Sequence, residues 1–277
     1  MSKPLMLLFL ALVIPVFGCS SDSTPQPVLS PLLSPPPPPP PPAPVAAADV
    51  GGAWFTRIAN NAVNCGLGEF IDAQALVITQ DENDITLLTS TGVTFVGTVN
   101  GDIVEWTGDF DERGGTTTFT SLSITVSGTA ASGNAAWTWT DGTDSCNGTM
   151  EITASQDWSA ADGGSNSLPN IADSFVFTDG VAFFTGIANS VNDIDYFAFV
   201  LAADATVQVE LSHFDPLTND LALEILDENL NQVVFSDSVD GFEKVEAQLL
   251  AGVTYYIGML PVSAPGEVSY LISVDMN

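Results

Sequence analysis

The chain has 277 residues, 34 of them acidic and 4 basic, for a formal net charge of −30. Its 45% apolar share suits a folded protein and is too high for a wholly disordered one. Nucleic acid is excluded as a partner, because each phosphate contact calls for a Lys or Arg. One His and three Cys leave little for metal or nucleophile chemistry. The length suggests about two domains.

The chain opens MSKPLMLLFLALVIPVFGC. Lys3 is followed by an apolar run, Pro15, and then Gly18-Cys19. This is the order of a signal peptide: charged start, apolar middle, small residue at the cut. The run is too short to cross ~30 Å of hydrocarbon, which takes about 20 residues. Val16-Phe17-Gly18-Cys19 resembles the lipobox of bacterial lipoprotein signal peptides. The resemblance implies cleavage after residue 18 and diacylglyceryl attachment at Cys19, with the membrane as partner through two or three acyl chains. Ser20, in place of an Asp, implies the outer membrane.

Residues 19–48 read as an anchored linker. Pro35 to Pro42 form an unbroken run, with Pro25, Pro27, Pro31 and Pro44 beside it. Proline fixes φ and removes the amide donor, so neither helix nor sheet can form there. A polyproline II rod is expected, about 25 Å long over the eight prolines. A ligand for a Pro-binding domain is the alternative; beside a lipid anchor the run reads as a spacer.

Residues 49–155 read as an antiparallel β domain. Asn100-Gly101 between the alternating runs 94–99 and 102–107 signals a hairpin with a type I′ turn. That turn pairs Val99 with Asp102 and Phe95 with Trp106, and sets Gly97 opposite Val104 on the core-facing side. Val96, Thr98 and Glu105 then face outward. Further strands are expected at 54–58, 75–79, 84–89, 116–120, 123–127, 135–140 and 149–153. About nine short strands and no helix suggest a small barrel or sandwich. Trp137 and Trp139 share a face, either as core or as the lining of a ligand cavity.

Export to an oxidising compartment makes Cys65 and Cys146 a candidate disulfide closing about 80 residues. Such a loop gives roughly 4 kcal/mol in the chain-entropy picture. A metal site is the alternative, but no further Cys and no His in this unit could complete it. The run of GGAWFTRI, NCG, ALVITQ and AAWTWTDGTDSCNGTM is similar to small lipocalin-like β domains of bacterial lipoproteins.

Residues 156–168 are rich in Ser, Gly, Ala and Asp and read as a linker. In 169–277 a period of two returns. Val207, Val209 and Leu211 alternate with Gln208 and Glu210, and Leu221, Leu223 and Ile225 with Ala222 and Glu224, as half-buried strands do. Four segments follow in order: Asn192-Asp193-Ile194-Asp195-Tyr196-Phe197-Ala198-Phe199, Asp220-Leu221-Ala222-Leu223-Glu224-Ile225-Leu226-Asp227, Leu250-Ala251-Gly252-Val253-Thr254-Tyr255-Tyr256-Ile257 and Ser269-Tyr270-Leu271-Ile272-Ser273-Val274. Together they resemble the bacterial pre-peptidase C-terminal domain. The resemblance implies a jelly-roll-like sandwich that accompanies secreted hydrolases, assists substrate or matrix binding and carries no catalysis of its own.

Asp193 and Asp195, with Asp220 and oxygens from Asp215 and Asn219, are calcium candidates, because a hard cation takes six to eight oxygens. The alternative is that the first two cap a turn. His213 is the one base a Ser-His-Asp triad could use and is expected in a solvated loop. Acidic pairs at glycosidase spacing arise by chance among 34 acids and identify nothing. Arg57, Arg113 and Lys244 are too few to clamp phosphate. Residues 49–155 hold 14 acids and 2 bases, and residues 156–277 hold 19 and 1, so both units carry the charge as a solvated face.

The sequence thus predicts an all-β outer-membrane lipoprotein acting as a non-catalytic binding or adhesion module for extracellular polysaccharide, matrix or a partner protein. Two alternatives stand beside it. One is a carrier of small apolar ligands in the first unit, which a cavity lined by Trp137, Trp139, Phe95 or Trp106 would favour. The other is an unrecognised hydrolase or peptidase accessory.

Overall fold

The structure is a computed structural model, described here for residues 46–62, 68–112, 114–161, 166–213, 219–239, 241–263 and 266–277. Its fold is all-β. Among the described residues the one helical piece is a 3-10 turn at Pro169–Ile171.

The first eight strands are β1 (Gly52–Ala62), β2 (Gly68–Asp81), β3 (Asp84–Thr89), β4 (Thr94–Asn100), β5 (Ile103–Glu112), β6 (Gly115–Ser127), β7 (Ala130–Thr140) and β8 (Ser145–Ser155). Each pairs antiparallel with the next. β8 returns to β1, from Phe55 opposite Ser155 to Asn61 opposite Thr149, and closes a barrel. Alternation dictates which side chains turn in. On β6, Leu122, Ile124 and Val126 are buried while Ser121, Ser123 and Thr125 are exposed. The separate strands expected at 116–120 and 123–127 are one strand. A bulge between Phe119 and Ser121 bends it, and bulges of this kind help a sheet curl shut.

The hairpin between β4 and β5 corrects the predicted register. Asn100 pairs with Ile103, Val99 with Val104 and Gly97 with Trp106. The loop is therefore Gly101-Asp102, and of the two only Gly101 has positive φ (63°), as in a II′ turn. The shift is two residues, an even number, so the predicted faces survive while the partners change. A Cβ on Gly97 would sit 2.7 Å from the Trp106 Cβ. Trp106 takes the space that the glycine leaves.

Residues 46–51 close one barrel end. The Ala48 amide donates to the Gly101 carbonyl (2.7 Å) and Gln80 Nε2 to the Ala48 carbonyl (3.0 Å). The Val50 amide donates to Gln80 Oε1 (2.7 Å), and Trp54 Nε1 to the Val50 carbonyl (2.8 Å). Val50, Trp54 and Val99 are buried there.

Ten further strands form two five-stranded sheets. They are β9 (Ala160–Ala161), β10 (Asp173–Ser174), β11 (Val181–Ala188), β12 (Asp195–Val200), β13 (Ala205–Ser212), β14 (Asp220–Leu226), β15 (Gln232–Ser236), β16 (Phe242–Leu249), β17 (Thr254–Ser263) and β18 (Val268–Met276). One sheet runs β10-β12-β17-β14-β15 and the other β16-β13-β18-β11-β9. Between them Val207, Val209, Leu211, Leu221, Leu223, Ile225, Ile257 and Ile272 are fully buried. β9 lies in the stretch expected as a linker and pairs parallel with β11.

The second sheet lies against the barrel wall. Phe55, Ala73 and Ala75 pack on Val181 and Phe183, with the two phenyl rings 5.3 Å apart. This contact overturns one expectation. β13 is buried on both faces, so Glu210 and Ser212 are as hidden as the apolar residues they alternate with. Glu210 accepts a hydrogen bond from Ser90 Oγ, in the loop between β3 and β4, at 2.7 Å.

Candidate functional site

The barrel is filled towards the closed end and hollow towards the other. A cavity of about 510 Å³ occupies the hollow part, within the usual range of small-ligand sites. Its walls follow from strand alternation. β1 turns Thr56, Ile58 and Asn60 inward, and β2 turns Asp72, Gln74 and Leu76 inward. Opposite them stand Phe95 of β4, Trp106 and Phe110 of β5, Phe119 and Leu122 of β6, and Trp137 of β7. Phe95, Phe110 and Phe119 form a triangle of rings with centroids 5.5–6.1 Å apart. The mouth carries Thr91 of the loop between β3 and β4, and Thr206, Gln208 and Glu246 of the neighbouring sheet.

Several wall groups already have partners. Trp137 Nε1 donates to Asn60 Oδ1 at 3.1 Å, and Gln74 Nε2 to Asp72 Oδ2 at 3.2 Å. Thr117 Oγ donates to Glu112 Oε1. Trp106 Nε1 is buried and has no hydrogen-bond partner among the described residues. An unmet buried donor is costly.

Of the aromatic residues expected to line a ligand space, Phe95, Trp106 and Trp137 do so. Trp139 is not in the lining, and its Nε1 donates to the Glu112 carbonyl at 3.1 Å. Phe110 and Phe119 were not singled out in the sequence. Phe110 shares the face of Trp106 on β5, which was the available signal, whereas the bulge in β6 sets Phe119 three residues from Leu122 and hides their common face.

Electrostatics concentrates where barrel and sandwich meet. Asp275 of β18 is buried; its Oδ2 accepts from Gln208 Nε2 (3.1 Å) and the Ala73 amide (3.4 Å), and its Oδ1 from Asn277 Nδ2 (2.8 Å). Burial, and then the Asp72 charge, push its pKa up to about 8. Asp72 is raised to about 6, by burial first and Glu210 second, against the opposing pull of Lys244. Lys244 Nζ holds Glu210 Oε1 at 3.0 Å. Burial lowers the Lys244 pKa, but the attraction and hydrogen bond of Glu210, together with the charges of Asp72 and Asp275, leave it raised.

The remaining sequence-predicted residues fall elsewhere. Cys19 and Cys65 lie outside the described residues. Cys146, on β8 opposite Trp139, is engaged with a partner. Asp193 Oδ2 caps the turn at Asn189, accepting from its amide (2.8 Å) and its Nδ2 (3.1 Å). Asp195 is buried and accepts from Tyr270 Oη at 2.7 Å. On β17, Asp195 pairs with Met259 and Asp220 with Ser263. Four residues of strand, about 13 Å, separate those levels. Asp215 is outside the described residues, among which no three His, Cys, Asp or Glu side chains gather as a metal site. His213 is not the solvated histidine expected. It is buried at 5% exposure, and its charge acts on Asp220. Burial, then Asp237 and Glu243, raise the Asp220 pKa despite it.

No protein-family model matches the chain, and no curated protein does. Among solved structures, the pre-peptidase C-terminal domain of a Bacillus anthracis collagenase is similar at TM-score 0.32 and 13% identity, over 38% of this chain and 94% of that one. Aeromonas hydrophila PliG, a periplasmic inhibitor of g-type lysozyme, is similar at TM-score 0.32 and 15% identity, over 38% and 96%. The Yersinia pseudotuberculosis-derived mitogen is similar at TM-score 0.29 and 14% identity, over 34% and 84%. Likenesses of this size carry no argument about function.

Proposed function

We propose that this chain is a non-catalytic binding protein whose site is the barrel, holding a small, largely apolar ligand in an aromatic-walled cup. The observation that carries the reading is the cavity of about 510 Å³ between Phe95, Trp106 and Trp137. Core packing alone would have filled that space, since interiors normally leave few voids larger than a water molecule. The test is titration of the full chain with a neutral apolar fluorophore, N-phenyl-1-naphthylamine. Saturable one-site binding is expected, with loss of binding in Met150→Trp, which puts an indole into the hollow from a lining position on β8. Absence of saturable binding by folded wild-type protein overturns the reading.

We also propose display from the outer membrane through acylated Cys19, and a Cys65–Cys146 bridge. The apolar run before Gly18-Cys19 supports the first. The second is supported by the placement of Cys146 three residues from Thr149, at the barrel end where β1 finishes and β2 starts. Mass spectrometry of native protein tests both. An uncut amino terminus or free thiols would reject them.

A further inference from the structure

We propose that the barrel selects a lipophilic cation, an apolar molecule bearing an ammonium group, over neutral and anionic molecules of the same shape. This rests on the reading of the barrel as a ligand site. The described residues that line the cavity include four carboxylates, Asp72, Asp111, Glu112 and Glu246, and no Lys, Arg or His. Asp111 and Glu246 are exposed; Asp72 and Glu112 are half-buried.

A fatty-acid carboxylate entering this space would meet charges of its own sign, with no cation among the described lining residues to receive it. An ammonium meets the opposite. Phe95, Phe110 and Phe119 present ring faces and edges within 6.1 Å of one another, and Trp106 adds an indole. Aromatic faces attract cations most where water is excluded. The two half-buried carboxylates then balance the charge.

Among the described residues the cation that acts on Asp72 is Lys244. It faces this region from β16, but its ammonium is bound to Glu210 at 3.0 Å. The other charged groups acting on Asp72 are Glu210 of β13 and Glu112 of β5, both acidic. Asp275 of β18 is the further carboxylate coupled to it. A bound ammonium would relieve the repulsion among them.

The experiment compares decylamine, decanol and decanoate by isothermal titration on the full chain at pH 7. Decylamine is expected to bind at least about tenfold more tightly than decanol, a difference of about 1.4 kcal/mol, with decanoate weakest. Asp72→Asn and Glu112→Gln are expected to erase most of that preference, read as the ratio of decylamine to decanol affinity within each variant. Equal affinity for the three, or decanoate binding best, overturns the charge selection and leaves the barrel as a ligand site. Failure of all three to bind removes the ligand-site reading as well. Preference unchanged in both variants assigns the selectivity elsewhere and overturns the proposal.

Discussion

Replacing Asp275 with asparagine is expected to flatten the pH dependence of stability above pH 6. The carboxyl has a folded pKa of about 8 against an ordinary 3.8. Between those values the folded protein holds a proton that the unfolded chain has released. Raising pH therefore favours unfolding, by about 1.4 kcal/mol per pH unit for one proton. From pH 6 to pH 8, where the carboxyl becomes half ionised, this group alone costs roughly 2 kcal/mol, and above pH 8 the loss levels off. Asp72 adds a similar slope below about pH 6, where its own raised pKa lies. Asp275→Asn removes the first slope. It also leaves an amide N–H2 facing donors, either Asn277 Nδ2 or the pair of Gln208 Nε2 and the Ala73 amide, so its absolute stability carries an offset of about 1–3 kcal/mol. The slope is thus the diagnostic. Urea denaturation at pH 6, 7 and 8 gives it directly, with the repulsion of the surface acids common to both proteins. Parallel profiles, with a gap constant to about 0.5 kcal/mol, would show that Asp275 is ionised throughout and refute the argument.

Gly186→Ala is expected to destabilise the sandwich by about 3–5 kcal/mol in urea, through overpacking and a displaced bond to a carboxylate. Its new Cβ would lie 2.1 Å from Tyr270 Oη, which donates to the buried Asp195; a loss under about 1 kcal/mol would contradict that packing. Trp54→Phe is expected to cost about 1 kcal/mol for the lost bond to the Val50 carbonyl, with faster hydrogen exchange at the Ala48 and Val50 amides. Reduction with dithiothreitol is expected to lower the melting temperature if the proposed Cys65–Cys146 bridge forms, by an amount set by roughly 4 kcal/mol; an unchanged melting curve would reject the bridge.

Strand placement was legible because each strand sees one kind of surface on each side. Leu122, Ile124 and Val126 declare their face by alternating with Ser and Thr. The hairpin showed where the reading stops. Asn-Gly marks a turn, yet the choice between a loop at 100–101 and one at 101–102 rests on a φ angle at a single residue, and the packing of Trp106 over Gly97 decides it. Glu210 was legible as an outward residue and is outward, but outward there means towards Ser90 rather than water. A contact between sequence-distant surfaces leaves no local period to read. The cavity was half-legible for a related reason. Aromatic residues on an inner face can fill space or surround it, and only the summed volumes of eight strands distinguish the two.

The stretch at 46–51 has a consequence for where this fold begins. Its amides and carbonyls take part in sealing the barrel, and Val50 blocks the opening as a stopper would. A protease cutting just after Val50 would leave all eight strands intact and yet expose to water the packed end of the barrel, Trp54 and Val99 first. Burial of that end then depends on six residues that belong to no strand.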